Sequence, residues 1–415
     1  MAAGERVKKS VERLSHLDGL RGIAAATVLL CHAVGVFDFG MITGDPKYSH
    51  LWIDQFVPRL PFMFHIMADL PVCIFFVLSG YVLCHAFRGG QNTLIGAIAK
   101  RYARLTPVIL VSSIFAFGLY SAFGEIHRDA IQVTKSYGAG LNLPNGIPPL
   151  SVVLSEGIYK ALLGGFSYET TINSVLWTMR PEFQGSILVI TIAWIGSIWG
   201  AGSPAQRATV VTLHSLVAIL WSGTYISLFS AGALLAVLPT VPAVRSSLLI
   251  IFGLTIGTLP NALITNWPIP PMPSLPFSTI PHSGTSFYHG VGALLLVVGV
   301  TKNVKAQSYL STNLAKFLGD ISFALYLVHF PILLTVGSWI VLLATSNGAQ
   351  YGFAVLLAFT ASVSLSVAVA YLLSKSVDQA AIAASRSICR SIDTMFFGLR
   401  DIAMDRITTI RRHRT

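Results

Sequence analysis

The sequence predicts an all-α, polytopic membrane protein of about ten transmembrane helices with both termini in the cytosol. Three observations predict it. Of 415 residues, 53% are hydrophobic and only 11% charged, where a soluble domain carries about 25% charged. Mean hydropathy is +0.69, and the apolar residues gather into runs long enough to cross a bilayer. Finally, the cations sort strongly onto one side of those runs.

The runs lie at residues 20–37, 66–87, 105–123, 183–199, 208–222, 225–241, 247–264, 287–301, 318–342 and 352–373, and each reads as a helix because bare backbone is not tolerated in lipid. Arg6, Lys8, Lys9 and Arg13 precede the first run and no small-residue cleavage site follows it, so it reads as a retained span. The fifth and sixth are short and separated only by Ser222-Gly223-Thr224, which leaves room for a re-entrant segment. With a cytosolic N-terminus, 22 of the 28 Lys and Arg residues fall on the cytosolic side. The reverse orientation would violate the positive-inside rule throughout.

The long loops are 124–182 and the proline-rich 265–286, on the outer face in this topology. Residues 376–415 follow the last run. Their Ile, Met, Phe and Leu residues recur at mostly helical spacing among Arg386, Arg390, Arg400, Arg406, Arg411 and Arg412, as in a basic amphipathic helix on an anionic inner leaflet. The formal charge of +11 is therefore a membrane-surface feature and points to no nucleic acid. The four cysteines form no C-x-x-C pair, and no metal site is indicated.

Ionisable groups at bilayer depth are costly and mark function. His32 lies 11 residues past Arg21, roughly 16 Å along the helix. His329 lies 9 residues past Asp320, roughly 14 Å by the same rise. The two imidazoles thus share one level, where either a common cavity or an inter-helix hydrogen bond is open to them. Pro331 frees a backbone carbonyl nearby. At the cytosolic rim stand Arg21, Arg88, Lys100, Arg101 and Arg104. Arg101 and Arg104 are three apart and share a face, which suits bidentate pairing with phosphate. Glu182 opens the fourth run and is expected at an acidic outer mouth. By themselves these features suit transmembrane group transfer and a proton-coupled transporter equally.

Five stretches carry a resemblance. They are His16-Leu17-Asp18-Gly19-Leu20-Arg21-Gly22-Ile23-Ala24 followed by His32; Phe75-Phe76-Val77-Leu78-Ser79-Gly80-Tyr81; and Arg101-Tyr102-Ala103-Arg104-Leu105-Thr106-Pro107. Leu176-Trp177-Thr178 with Glu182-Phe183, and Ile321 through His329-Phe330-Pro331, complete the set. In this order they resemble the acyltransferase 3 family. The stretch Met179-Arg180-Pro181-Glu182, followed by Gly185-Ser186, departs from many bacterial members and is closer to fungal ones.

The resemblance implies a ten-helix membrane O-acyltransferase domain over residues 1–375 with a cytosolic tail at 376–415. It takes an acyl group, commonly acetyl, from cytosolic acyl-CoA and places it on a hydroxyl of a glycan, lipid or small metabolite. It implies no permanently bound cofactor, and no extracytoplasmic SGNH-type domain is expected here. The essential histidine of the first helix matches His32, and the arginines match Arg21, Arg101 and Arg104. His32, Glu182 and His329 are accordingly the candidate catalytic residues, and Arg21, Arg88, Arg101 and Arg104 the candidate donor-binding ones. Ser79 and Tyr326 join His329 as candidate donors to an oxyanion. A proton-coupled exporter of a glycan or lipid, or a membrane sensor without chemistry, stays the alternative.

Overall fold

The computed structural model describes residues 2–59, 69–87, 93–136, 146–238, 245–260, 264, 267 and 284–412, with backbone alone at 2–14, 59, 284–285 and 397–412. Among the described residues every regular element is helical. The main helices are α1 (Ala2–Phe37), α2 (Leu70–Phe87), α3 (Leu94–Phe123), α4 (Met179–Ser197), α5 (Pro204–Leu220) and α6 (Tyr225–Val237). They continue with α7 (Ser246–Gly257), α8 (Gly284–Lys302), α9 (Asn313–Ile332), α10 (Tyr351–Leu373) and α11 (Gln379–Arg412). The ten apolar runs fall in order on α1 to α10.

Among the described residues, five helical stretches are long and apolar enough to cross a membrane: Ser15–Phe37, Leu70–Phe87, Leu94–Phe123, Asn313–Ser346 and Tyr351–Phe396. A sixth forms if Ser286–Lys302 and Val304–Leu310, bent by 97° at Asn303, count as one. Helices α6 and α7, of 13 and 12 residues, reach only about 20 Å of a hydrocarbon layer of about 30 Å. The chain is a helical membrane protein.

Two buried apolar clusters organise it. One joins α1, α3, α9 and α10 with residues 153–183; the other joins α2, α4, α6 and α8 with the start of α1. Helix contact in lipid depends on small residues that let backbones approach. Gly22 of α1 lies against the backbone of Leu318 and Gly319 in α9, and Gly319 against Asp18, so a Cβ at either would overlap main chain. That approach sets α1 and α9 in register at the depth of His32 and His329. Gly80 of α2 likewise lies against the backbone of Phe229 in α6.

Residues 150–178, expected in a loop over the outer face, instead fold into the helix bundle. Val153, Ala161, Leu162, Ile172, Val175 and Leu176 are buried in the first cluster. Burying irregular backbone demands partners for its polar groups. Asn173 supplies one, donating from Nδ2 to the Leu327 carbonyl at 2.7 Å. This is the carbonyl that Pro331, lacking an N–H, leaves free in α9. Glu156 accepts from the Ile172 N–H at 3.4 Å, and burial holds its carboxyl up at about 7.

The C-terminal segment continues α10 without a break through a π-helical turn at Ser374–Asp378. It packs along α3, where Asp393 accepts from the Thr93 backbone N–H at 2.9 Å and the Thr93 hydroxyl at 2.6 Å. Thr93 is itself the N-cap of α3, so the tail places a carboxylate at a helix N-terminus.

Candidate active site

Where α1, α2, α3, α4 and α9 meet, a cavity of about 130 Å³ opens between the two clusters. Its polar lining is Arg21, Ser79, Arg101, Arg104, Thr178, Glu182, Ser322 and Tyr326, and Val72, Phe75, Phe76, Leu105, Met179 and Phe323 form apolar walls. Three-residue spacing puts both α3 arginines on the cavity face, and four-residue spacing does the same for Ser322 and Tyr326 on α9.

The charges interlock. Arg101 donates from Nη2 to Glu182 Oε1, and from Nε to the Ser186 hydroxyl at 2.9 Å. Ser79 donates to the same Glu182 oxygen at 2.8 Å, and Ser186 donates to the Glu182 carbonyl at 2.6 Å. Arg104 holds Asp378 with both terminal nitrogens, the Nη2 to Oδ2 bond measuring 3.0 Å. Its guanidinium also lies over the Phe323 ring, 5.6 Å from the centroid. Arg21 pairs loosely with Asp18, at 3.9 Å. Three guanidinium groups thus converge on one cavity, two of them held in orientation by the carboxylates of Glu182 and Asp378.

The imidazoles form a second constellation beside the first. His32 Nδ1 and His329 Nε2 lie 2.8 Å apart, with the two rings within 7° of parallel. His329 is fully buried, and its Nδ1 is 2.9 Å from the Leu325 carbonyl. Phe330 packs on His32 with ring centroids 4.9 Å apart. Neither histidine lines the cavity itself. Tyr326 links the two places: it lines the cavity, its ring lies 5.9 Å from that of His329, and its hydroxyl donates to the Val175 carbonyl at 3.3 Å.

The expected residues are therefore brought together in two adjoining groups, Arg21, Arg101, Arg104 and Glu182 in one, His32 and His329 in the other. Arg88 lies outside the described residues. One placement needs correction. Glu182 was expected at an outer mouth, across the membrane from the arginines, yet it is the direct partner of Arg101. The inward fold of residues 150–178 carries the start of α4 into the bundle and delivers Glu182 to the cavity. Sequence reasoning also missed Asp378 and Ser186. The available signal for Asp378 was that it is the first acid after the last apolar run, between Lys375 and Arg386; for Ser186 it was a small polar residue one turn after Glu182.

Helices long and apolar enough to span a membrane, a cavity lined by three guanidinium groups and an adjacent imidazole pair define a helical membrane protein with a polar internal site. The family model Acyl_transf_3, described as an acyltransferase domain, matches residues 14–375. The chain belongs to the acyltransferase 3 family. It is 25% identical to O-acetyltransferase PaAT-1 of Phomopsis amygdali over 385 residues, covering 80% of this chain and 74% of that one. It is 20% identical to acyltransferase clz18 of Cochliobolus lunatus over 409 residues, covering 79% and 85%. Protein 2 in the picA locus of Rhizobium radiobacter shares 26% over 203 residues, covering 44% and 91%. No solved structure matches the chain.

Proposed function

We propose that the chain is a membrane O-acyltransferase that moves an acyl group, acetyl in the first instance, from cytosolic acyl-CoA to a hydroxyl of a glycan, lipid or small metabolite. The observation that carries the reading is the placement of a three-arginine cavity next to an imidazole pair, in a member of an acyltransferase family. Similarity to a protein named O-acetyltransferase supports oxygen as the acceptor atom and acetyl as the group.

In this reading Arg21, Arg101 and Arg104, with Arg88, hold the donor phosphates at the cytosolic mouth, and the flexible pantetheine arm carries the thioester inward past Tyr326. Fixing the donor converts a bimolecular encounter into a positioned one, a gain of several kcal/mol, roughly. A hydroxyl of ordinary acidity needs a base. His32 takes the hydroxyl proton while the oxygen bonds to the thioester carbon. The C–S bond then breaks, and the leaving thiolate recovers the proton from His32, so the cycle needs no other proton source. Glu182 holds Arg101 in place. An acyl-histidine intermediate is the covalent variant of the same site.

The topology that fits is ten spans with both termini cytosolic, with residues 1–375 as the catalytic domain and 376–415 as a basic tail against the anionic inner leaflet. Helices α6 and α7 then cross only with the help of adjoining residues. A proton-coupled exporter would use the imidazole pair, but it needs no clamp for the phosphates of CoA.

Mass spectrometry of glycans, lipids and small metabolites from cells with and without the chain tests the function. Loss of an acetylated species is expected on deletion. An unchanged acylation pattern under conditions of expression would overturn the reading.

A further inference from the structure

The geometry points to His329 as a positioning residue that fixes the tautomer of His32: a relay running Leu325 carbonyl, His329, His32 leaves the Nε2 lone pair of His32 as the basic atom. This deepens the proposed acyl transfer and rests on it for its catalytic meaning, although the tautomer itself is independent of turnover.

The Leu325 carbonyl is a fixed acceptor. A main-chain carbonyl can only accept, so the 2.9 Å contact between His329 Nδ1 and the Leu325 oxygen requires a proton on Nδ1. His329 is fully buried, and among the described residues no carboxylate forms an ion pair with either imidazole of the couple. A second proton on His329 would be an uncompensated charge at membrane depth, which is strongly disfavoured. A neutral ring with Nδ1–H has its lone pair on Nε2. The 2.8 Å approach of His32 Nδ1 to that atom is then a hydrogen bond only if His32 donates. His32 therefore carries its proton on Nδ1, and its Nε2 is free to accept one.

Every link is positioned by the fold. Leu325 and His329 are one turn apart on α9, and the glycine-mediated approach of α1 sets His32 against the Nε2 edge of His329. The relay does for His32 what a carboxylate does for the base of a serine hydrolase, holding one tautomer and orienting the ring. It does so without burying a net charge. It also removes His329 from two other roles. Its N–H is committed to Leu325 and its lone pair to His32, and the ring has no exposed surface, so it neither serves as the base nor donates to an oxyanion.

The test uses the full chain in lipid nanodiscs, labelled with 15N-histidine, at a pH where the imidazoles are neutral. His32 signals are assigned by their loss in His32→Gln. The expected spectrum has His32 protonated at Nδ1 and bare at Nε2, the tautomer that water does not favour. His329→Leu should release His32 to the Nε2-protonated form, while His329→Gln, whose amide oxygen still accepts, should keep the native pattern. With acetyl-CoA as probe, membrane extract as the source of acceptor hydroxyls and thioester cleavage as readout, kcat should fall about 100-fold in His329→Leu and recover to within about tenfold of wild type in His329→Gln, at unchanged KM for acetyl-CoA. A wild-type His32 protonated at Nε2, or a tautomer unmoved in a folded His329→Leu, overturns the relay. Should His329→Leu fail to fold, the wild-type spectrum alone decides. Absence of acetyl-CoA cleavage by the wild type, with the native tautomer present, would instead strike the proposed function and leave the relay standing.

Discussion

The side-chain amide of Asn173 closes a vacancy that Pro331 creates: its Nδ2 donates at 2.7 Å to the Leu327 carbonyl, the acceptor left over where proline interrupts the hydrogen bonds of α9. One residue of a buried loop thereby secures the helix that carries His329 and Tyr326. Asn173→Ala should cost about 1–3 kcal/mol, the penalty for stranding a buried carbonyl. Pro331→Ala restores an N–H to that carbonyl, so Asn173→Ala should be milder in its presence. Thermal unfolding of the two single variants and the double variant gives the coupling directly, and strict additivity would show that the two residues act separately.

The pair of Arg101 and Glu182 makes a second prediction. Their side chains are 19% and 12% exposed, so neither charge is well served by water. Glu182→Gln should lower stability by about 2–3 kcal/mol, somewhat less than for a completely buried pair. Joint replacement by Met and Leu should recover much of the loss, at the expense of the cavity's cationic lining. Melting curves in detergent distinguish this from a Glu182 that acts only in chemistry, whose neutral variant would melt like wild type.

Arg104 ties the C-terminal helix to the site through Asp378. Arg104→Lys keeps the charge but loses the fork that holds both carboxylate oxygens. The helix beginning at Gln379 should then detach more readily from α3. Limited trypsin digestion at Arg386 and Arg390 should quicken in Arg104→Lys, and also in Asp393→Ala, which removes the acceptor of both Thr93 hydrogen bonds. Cleavage rates equal to wild type in both variants would mean the tail is held by its apolar face alone.

A pH dependence follows from Glu156. Its carboxyl is raised from an ordinary 4.5 to about 7, chiefly by burial. The folded state therefore favours the protonated acid. Stability from this group is complete below about 4.5 and is lost as pH rises through about 7, where the buried carboxylate ionises. Wild-type melting temperature should decline between pH 5 and pH 8. Glu156→Gln should flatten that decline and be the more stable protein at pH 8, by up to about 3 kcal/mol. Parallel profiles for the two proteins would contradict the assignment.

Much of the architecture was legible in the residue pattern, because lipid leaves the backbone few choices. Each apolar run became a helix, and a rise of 1.5 Å per residue placed His32 and His329 at one depth, where they do meet. The arginine cluster on α3 was legible for the same reason, since helical spacing fixes which side chains share a face. What hydropathy could not reveal was the course of residues 150–178, whose path depends on tertiary partners such as the carbonyl under Asn173. Glu182 was misplaced with that loop. Asp378 escaped notice because its position depends on a π-helical turn, and the extra residue in such a turn redirects the helix beyond it. The proline-rich loop 265–286 falls almost entirely outside the described residues.

The central claim is that His32 is the base for acyl transfer from CoA. It is tested most directly by comparing purified wild type and His32→Ala in nanodiscs for release of CoA from acetyl-CoA in the presence of membrane extract, alongside CoA binding by each. CoA binding should be equal in the two proteins and transfer lower by about 100-fold in His32→Ala, the usual loss on removing a general base. His32→Ala turning over at the wild-type rate would contradict it.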